Sequence, residues 1–370
     1  MSKETFPVAK SKLYFPQLDS IRGLSFISIF LFHAVIISDK PFFLSGFIRY
    51  LHNNLLLGLE VFFVLSSFLL TWLGLNEYQK RGNFSFRNYF TRRALRIWPL
   101  YFFILFLGFI IIRAIAVYFH SEITLPNAWY YIFFIANFYT IDHVFFLRLL
   151  WTISVEEQFY LFWGLCLKIL YKNLVLVISI LVLISISFSI YSITNHVSSY
   201  FNTLTYLFDF ACGALAAILV FSQNKIPGRL KKLSLTGRKI FYSYLPFHFI
   251  LFYFLNQFSS GLANDFLALI CRYIFVVYMA LFIARQVAYN SQDTILAKNR
   301  FLILTGRMSY GLYCYHGITI TLLNLLLLKY HIENWIMVII YFVVNYAIAT
   351  ISYFYLERPF LNLKQKWRRI

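Results

Sequence analysis

Two ionisable residues in the first apolar segment of the chain are candidates for chemistry inside a membrane. The segment LDSIRGLSFISIFLFH (18–33) carries Arg22 near its start and ends with His33. On a helix, this spacing sets the two side chains roughly 16 Å apart along the axis. An ionisable group deep in lipid is costly unless it is paired or faces water, which favours a functional role such as general base catalysis. The alternative is a histidine hydrogen-bonded between helices for packing.

Two adjacent carboxylates lie in a second aromatic-rich segment, WTISVEEQFYLFW at 151–163. Consecutive helical residues point about 100° apart, so Glu156 and Glu157 cannot both face one cavity. Glu156 shares a helix face with Tyr160, and counting along each segment places it at a depth similar to that of His33. A carboxylate beside a buried imidazole supports it as a base, so we predict that Glu156 contacts His33.

Three arginines, Arg92, Arg93 and Arg96, stand at helical spacing just before another apolar run. Guanidinium groups stay charged and bind phosphate through paired hydrogen bonds. The cluster therefore predicts a phosphate-binding site at a membrane surface. The alternative is a basic patch that sets the topology and binds lipid head groups.

A further carboxylate, Glu60, lies in the apolar segment GLEVFFVLSSFLL at 58–70. It either takes part in the reaction or pairs with a neighbouring side chain for assembly. The small residues Ser66 and Ser67 that follow it permit close helix approach.

A polar stripe is predicted late in the chain, in RMSYGLYCYHGI at 307–318. Ser309, Tyr313 and His316 fall at positions i, i+4 and i+7 and share one helix face. We expect this face to point inward.

The composition describes the environment that must position these residues. Of the 370 residues, 61% are hydrophobic and 13% are charged, whereas soluble domains average about 25% charged residues. The chain is therefore predicted to be all-α, a polytopic bundle of transmembrane helices. The formal charge of +19 does not indicate nucleic acid, because Lys and Arg cluster in short loops between apolar runs. We expect no disulfide framework and no metal site, because four cysteines lie singly in apolar segments: Cys166, Cys212, Cys271 and Cys314.

Ten apolar segments are long enough to span a membrane: 18–38, 54–75, 97–119, 150–171, 174–195, 203–222, 240–258, 266–287, 307–329 and 335–356. An eleventh, 127–147, would place the basic loop at 225–239 outside if it crossed, and its Asp142, His143 and Arg148 make it a poor span. We therefore predict about ten spans, a re-entrant or interfacial segment near 127–147, and both termini in the cytoplasm.

The whole chain, 1–370, is predicted to be a single integral membrane domain, with a cytoplasmic tail at 1–17 and a basic cytoplasmic tail at 358–370. No signal-peptide cleavage pattern follows the first apolar run, so that run is expected to remain as a span. Glu357, followed by Arg358 and Pro359, predicts a helix stop, and its carboxylate is expected to neutralise one of the clustered arginines.

Six motifs, in order, resemble those of the membrane acyltransferase-3 family, whose members O-acylate extracytoplasmic glycans. LDSIRGLSFISIFLFH is similar to the family's L-D-x-x-R-G opening and its arginine and histidine separated by ten residues. The other matching segments are GLEVFFVLSSFLL, FTRRALRIWPLYF, WTISVEEQFYLFW, SYGLYCYHGI and YLERPF. The resemblance runs from residue 18 to residue 360, and WTISVEEQFY is its most specific match.

The resemblance implies an acyltransferase that moves an acyl group, most simply acetyl, from cytoplasmic acyl-CoA to a hydroxyl of an extracytoplasmic carbohydrate. That carbohydrate would be peptidoglycan, O-antigen, an exopolysaccharide or a lipid-linked glycan. Acetyl-CoA or another acyl-CoA would be a donor substrate, and no tightly bound cofactor is implied. The protein would lie among the lipids of the inner or plasma membrane.

The resemblance also assigns roles to residues. His33 would act as general base or carry the acyl group, and Glu156 would orient it. The donor-binding residues would be Arg22, Arg92, Arg93 and Arg96. The supporting residues would be Asp19, Glu60, Trp151, Ser154, Tyr160, Ser309, Tyr313 and His316.

The chain departs from the family pattern at three places. Glu60 replaces the usual Asp, Ser67 the usual Gly, and Gly317–Ile318 the usual Trp-Pro. The last change is expected to leave a less bulky wall beside His316, where the acceptor would bind. The hydrolase-like domain fused to many members is not expected within 370 residues.

Two other functions fit the same buried charges. A proton-coupled transporter or flippase of a lipid-linked glycan would use His33, Glu60 and Glu156 as coupling groups. Such proteins usually contain a repeat between their halves, and the sequence shows none. A structural or sensor protein would leave the buried ionisable groups unexplained.

Overall fold

The computed structural model describes residues 14–37, 46–118, 120, 126–139, 145–222, 233–289, 295–327, 330 and 332–366. Every regular element in these ranges is a helix, and they contain no β-strand. Lipid offers no hydrogen-bond partner to the backbone, and a helix satisfies its N–H and C=O groups internally. The predicted all-α class is confirmed.

Ten long helices in the described ranges correspond to the ten predicted segments. They are α1 (Pro16–Ile37), α3 (Gly58–Arg81), α4 (Phe86–Tyr118), α7 (Trp151–Ile169), α8 (Leu174–Thr194), α9 (Thr203–Phe221), α10 (Leu235–Phe258), α11 (Gly261–Tyr289), α14 (Ser309–Leu327) and α15 (Asn334–Ser352). Shorter helices lie between or after them: α2 (Gly46–Asn53), α5 (Ala128–Ile132), α6 (Phe145–Arg148), α12 (Ile295–Lys298), α13 (Arg300–Arg307) and α16 (Arg358–Lys366).

Seven helices of the described chain are long and apolar enough to cross a membrane, judged by length and composition. They cover Pro16–Val35, Gly46–Arg81, Phe86–Ile115, Tyr171–Thr194, Thr203–Phe221, Gly261–Ala288 and Asn334–Leu363. The chain is thus a multi-pass membrane protein. The count of about ten spans and the cytoplasmic termini stay predictions.

The segment near 127–147 contains no long helix where the structure describes it. It forms α5 and a short 3-10 turn, Ala136–Phe138, before α6. The Asn137 amide donates to Thr203 Oγ1 at 3.1 Å and accepts from Gln158 Nε2 at 2.8 Å. These bonds hold the turn against α7 and the start of α9. Residues 140–144, with Asp142 and His143, lie outside the described residues.

The helix with the arginine cluster begins earlier than predicted. α4 starts at Phe86 instead of residue 97 and continues through Pro99. Charged side chains end an apolar run in the sequence, but they do not end a helix whose first turns lie at a membrane surface. The arginines therefore project from a helix, which fixes their spacing.

The predicted helix stop at Glu357 is wrong. A π-helical turn, Tyr353–Glu357, leads from α15 directly into α16. Pro359, the second residue of α16, directly follows this π-helical turn and does not end the helical segment. The predicted tail at 358–370 is therefore helical to Lys366; residues 367–370 and 1–13 lie outside the described chain.

Small residues set the closest helix contacts. A Cβ added to Gly306 on α13 would overlap the Asp19 carbonyl on α1, and one added to Gly213 on α9 would overlap Ser67 and the Val64 carbonyl on α3. Such contacts let helix backbones pack closely in lipid. The close helix approach predicted for Ser67 is confirmed, and α1, which carries Arg22 and His33, is held tightly by its neighbour.

Candidate functional site

A cavity of about 580 Å³ lies between α1, α3, α4 and α13. Along α3 its wall runs from Leu69 to Arg81, a depth of roughly 18 Å at 1.5 Å per residue. The Lys80 and Arg81 end is exposed, whereas Leu70 at the other end is buried. The cavity therefore reaches from a surface into the bundle. Its basic lining residues are Arg22, Lys80, Arg81, Arg92, Arg93, Arg96 and Arg307.

Some of these cations are neutralised by acidic side chains in the same wall. Arg92 pairs with Glu77 at 2.9 Å, and Asp19 lies 3.3 Å from Arg22 and 3.7 Å from Arg307. A hydrogen bond from Arg307 to Tyr14 raises the pKa of this arginine, so it stays charged.

Two arginines of the cluster are left for another anion. Among the described residues, Arg93 and Arg96 form no ion pair, and the Arg93 guanidinium lies over the ring of Tyr160 at 5.6 Å. Glu357 lies in the same cavity wall, and Arg96 acts on it electrostatically without an ion pair between them. The cavity therefore keeps a surplus of positive charge.

A second, smaller cavity of about 80 Å³ adjoins the first. Four residues line both: Arg22, Arg93, Arg96 and Tyr310. The other polar residues of the inner cavity are Ser66, Thr152, Glu156, Tyr160, Ser309 and Tyr313. Of these residues, Thr152 was not predicted from the sequence; it directly follows the predicted supporting residue Trp151.

Glu156 faces this inner cavity. Its Oε1 accepts a hydrogen bond from Ser66 at 2.9 Å, and Tyr160 donates to the same hydroxyl at 3.1 Å. Glu157 points elsewhere and accepts from Trp98 Nε1 at 3.2 Å. The expectation that the two carboxylates cannot share a cavity is confirmed.

His33 pairs with another histidine instead of a carboxylate. Its Nδ1 lies 3.2 Å from Nε2 of His316, whose Nδ1 contacts the carbonyl oxygen of Tyr313. The predicted contact between His33 and Glu156 is therefore wrong. Counting residues along a helix does not give the direction in which each side chain points.

Tyr313 connects the inner cavity to the histidine pair. It lines that cavity, and its ring centre lies 5.0 Å from that of His316. Its hydroxyl donates to the carbonyl of Leu149 at 3.0 Å and accepts from Thr152 at 2.8 Å. The predicted stripe thus divides: Ser309 and Tyr313 face the cavity, and His316 lies one turn beyond it.

Glu60 is part of a buried ion cluster that lines neither of the two cavities. Arg272 on α11 lies 3.2 Å from Glu60 and also pairs with Asp209 on α9. Of the two roles predicted for Glu60, pairing with a neighbouring side chain for assembly agrees with this geometry. Asp209 and Arg272 were missed; each is a charge in the interior of an apolar segment, which was the available signal.

Two other predicted supporting residues lie away from both cavities. Trp151 packs against the rings of Tyr200 and Phe201, each at 5.2 Å between centres. Ser154 is fully buried. Their placement suits packing of the α7 start.

The predicted less bulky wall beside His316 is wrong. A Cβ on Gly317 would lie 2.7 Å from Leu149 Cδ1 and 2.9 Å from Phe146 Cα. Phe146 on α6 and Leu149 just after it occupy the space that a larger side chain would take.

Known proteins match this chain over almost its full length. The family model for the acyltransferase domain matches residues 15–354. The chain is 26% identical to the peptidoglycan O-acetyltransferase OatA of Listeria monocytogenes, over 94% of this chain and 56% of that protein. It is also 26% identical to the O-acetyltransferase OatA of Staphylococcus aureus, over 94% of this chain and 57% of that protein.

The chain thus spans a little over half the length of these curated relatives. No solved structure matches it significantly. The family match over 15–354 and the six ordered motifs lead to one conclusion: the chain belongs to the membrane acyltransferase-3 family.

Proposed function

We propose that the protein transfers an acyl group, most simply acetyl, from an acyl-CoA in the larger cavity to a hydroxyl of a carbohydrate outside the cell. The observation that carries this proposal is the position of Arg93 and Arg96. They line both cavities and form no ion pair in the described chain. Unpaired guanidinium groups in a deep cleft favour a polyanionic ligand, and coenzyme A carries several phosphates.

The shape of the two cavities suits a long donor with a charged end and a small reactive end. The exposed Lys80 and Arg81 and the paired Arg92 lie along the wide part, where phosphates bind. The narrow inner cavity, with Ser66 and Glu156 in its wall, receives the acyl end. Its volume of about 80 Å³ suits acetyl better than a long chain.

His33 is the base in this proposal. As the acceptor oxygen attacks the acyl carbon, His33 takes the hydroxyl proton; the bond from carbon to the CoA sulfur then breaks, and the thiolate leaves. His33 is 9% exposed and lies beyond Tyr313 from the inner cavity, so the acyl end must come past Tyr313 to react. In the two-step form of the reaction, His33 first takes the acyl group from the donor and then passes it to the acceptor hydroxyl.

The acceptor is a glycan of the cell envelope. The two relatives, a peptidoglycan O-acetyltransferase and an O-acetyltransferase, support O-acetylation at the cell surface. In this proposal the protein lies in the inner or plasma membrane with both termini in the cytoplasm, so the donor enters from the cytoplasmic side.

The transporter alternative has no specific observation in its favour. Glu60, one of its coupling groups, is held by Arg272 in an ion cluster. A carboxylate with a fixed cationic partner is poorly suited to release and bind a proton.

Labelled acetyl-CoA and purified protein in detergent test the proposal. We expect acetyl-CoA hydrolysis or transfer by the native protein, loss of this activity in His33→Ala, and retention in the matched control Cys166→Ala, whose buried thiol lines neither cavity. Mass spectrometry of surface glycans from a deletion strain identifies the acceptor. Absence of donor binding, with function unchanged by Arg93→Ala, would contradict the proposal.

A further inference from the structure

The hydrogen bonds of the histidine pair determine which ring nitrogens carry protons. Nδ1 of His316 contacts the backbone carbonyl oxygen of Tyr313, three residues earlier on the same helix. A carbonyl oxygen only accepts hydrogen bonds, so this Nδ1 must carry a hydrogen. His316 is fully buried, and no acidic side chain of the described chain contacts it, so a neutral ring is favoured.

The tautomer of His33 follows from that of His316. A neutral imidazole protonated at Nδ1 has its lone pair on Nε2. Nε2 of His316 lies 3.2 Å from Nδ1 of His33, so Nδ1 of His33 must be the donor. The backbone carbonyl of Ile29, one turn earlier on α1, is a second acceptor near the His33 ring. The free lone pair of His33 is then on Nε2.

We propose that His316 is a positioning residue that holds His33 in the Nδ1–H tautomer and so selects Nε2 as the atom that accepts the substrate proton. The reactive part of this inference rests on the proposed function; the tautomer does not. A neutral orienting group has an advantage here, because a carboxylate in its place would add a net charge in a fully buried site.

The same arrangement determines the path of the proton. Nε2 of His33 takes the proton from the acceptor hydroxyl while the oxygen forms its bond to the acyl carbon. The bond from that carbon to sulfur breaks, and the leaving CoA thiolate takes the proton back from Nε2. His316 cannot pass a proton onward, because its other nitrogen faces the Tyr313 carbonyl. Nε2 of His33 therefore acts first as base and then as acid. The hydrogen bond from Nδ1 of His33 to His316 stabilises the positive charge that the ring carries in between.

Two substitutions of similar length separate this role from packing. In His316→Gln, the amide oxygen can still accept from His33 Nδ1, whereas His316→Met keeps the bulk and loses the acceptor. With labelled acetyl-CoA we expect His316→Met to lower kcat about 100-fold with KM for the donor changed less than about threefold. We expect His316→Gln to recover at least about tenfold of that loss. Equal losses in the two variants, or a loss confined to KM, would overturn the proposal.

A spectroscopic measurement tests the tautomer without turnover. In native protein labelled with ¹⁵N-histidine, His33 should show a protonated Nδ1, an unprotonated Nε2 and a nitrogen–nitrogen coupling to His316 across the hydrogen bond. His33→Gln and His316→Gln assign the signals. A His33 ring protonated at Nε2 overturns the proposal. The expected tautomer in a protein that transfers no acyl group would instead support the pairing and contradict the proposed function.

Discussion

Oε1 of Glu156 lies 2.9 Å from the hydroxyl of Ser66, a residue 90 positions earlier in the chain. This bond turns the carboxylate toward the arginines that line both cavities and away from His33. Glu156 therefore belongs to the wall of the inner cavity, and the side chain that contacts the ring of His33 is His316. The packing of α3, α7 and α14 thus gives this carboxylate and this imidazole separate surroundings.

The two adjacent glutamates provide a matched comparison. We expect Glu156→Gln to reduce acyl transfer on the order of tenfold to 100-fold, because the substituted amide still accepts from Ser66 but the negative charge is lost. Glu157→Gln should stay within about threefold of native protein, since Glu157 bonds to Trp98 away from the inner cavity. Steady-state rates with labelled acetyl-CoA measure both. Similar losses in the two variants would contradict a role for Glu156 in the inner cavity.

The unpaired arginines should determine donor affinity. Arg93→Gln and Arg96→Gln are each expected to weaken acyl-CoA binding by about tenfold or more, because a charge-assisted hydrogen bond contributes about 1.5–3 kcal/mol. Binding should also weaken as salt concentration rises. Arg113→Gln is the control, since Arg113 is an exposed residue on the same helix outside both cavities. Calorimetric titration with acetyl-CoA gives the dissociation constants, and an equal effect at Arg113 would show that the loss is not specific to the cavity.

The buried ion cluster should govern stability more than donor binding. Arg272→Leu leaves Glu60 and Asp209 without their cation, and breaking a buried pair in this way costs about 3–5 kcal/mol. A clear fall in the thermal unfolding midpoint in detergent is expected. Glu60→Asp should be tolerated, because Asp209 still holds the guanidinium and the related family pattern uses Asp. An inactive but fully stable Glu60→Asp variant would place Glu60 in the reaction instead.

Adding one methyl group at the contact between α1 and α13 should destabilise the protein. Gly306→Ala would push a Cβ into the backbone carbonyl of Asp19, which cannot turn aside as a side chain can. We expect a lower unfolding midpoint and weaker donor binding, because α1 also carries Arg22. Gly237→Ala is the control: its Cβ would meet only side-chain atoms, the nearest at 3.3 Å. Equal unfolding midpoints for the two variants would contradict the close contact.

The orientation of the non-spanning segment can be tested by cysteine labelling. Asn137 is 2% exposed and hydrogen-bonded, so Phe138, at 59%, is the better position. A membrane-impermeant thiol reagent added outside intact cells should label Phe138→Cys and not Asn83→Cys, which is exposed in the predicted cytoplasmic loop between α3 and α4. Labelling of Phe138→Cys from the cytoplasmic side alone would contradict the predicted topology.

Local features of the fold could be read from the sequence because they depend on neighbouring residues. Apolar runs of sufficient length predicted every long helix, and 61% hydrophobic residues indicated a membrane environment. Helix ends were less certain. The early start of α4 and the continuation past Glu357 show that charged residues and proline mark the limit of an apolar run and not of a helix.

For the candidate site too, the sequence predicted some features and not others. The arginine cluster, the buried histidine and the intramembrane glutamates were visible as residue types at unusual positions, which required no knowledge of packing. Their partners were not visible. Arg272 joins Glu60 across 212 positions, and His316 joins His33 across 283.

Sequence by itself determined which long helices form and which ionisable groups they carry, because both depend on residue type and on spacing along the chain. Tertiary structure alone decided which group each one meets. That choice depends on the rotation of every helix about its axis, and close contacts such as Gly306 against Asp19 set that rotation. His33 consequently faces His316 and Glu156 faces Ser66, although counting along the two helices had predicted that they would meet.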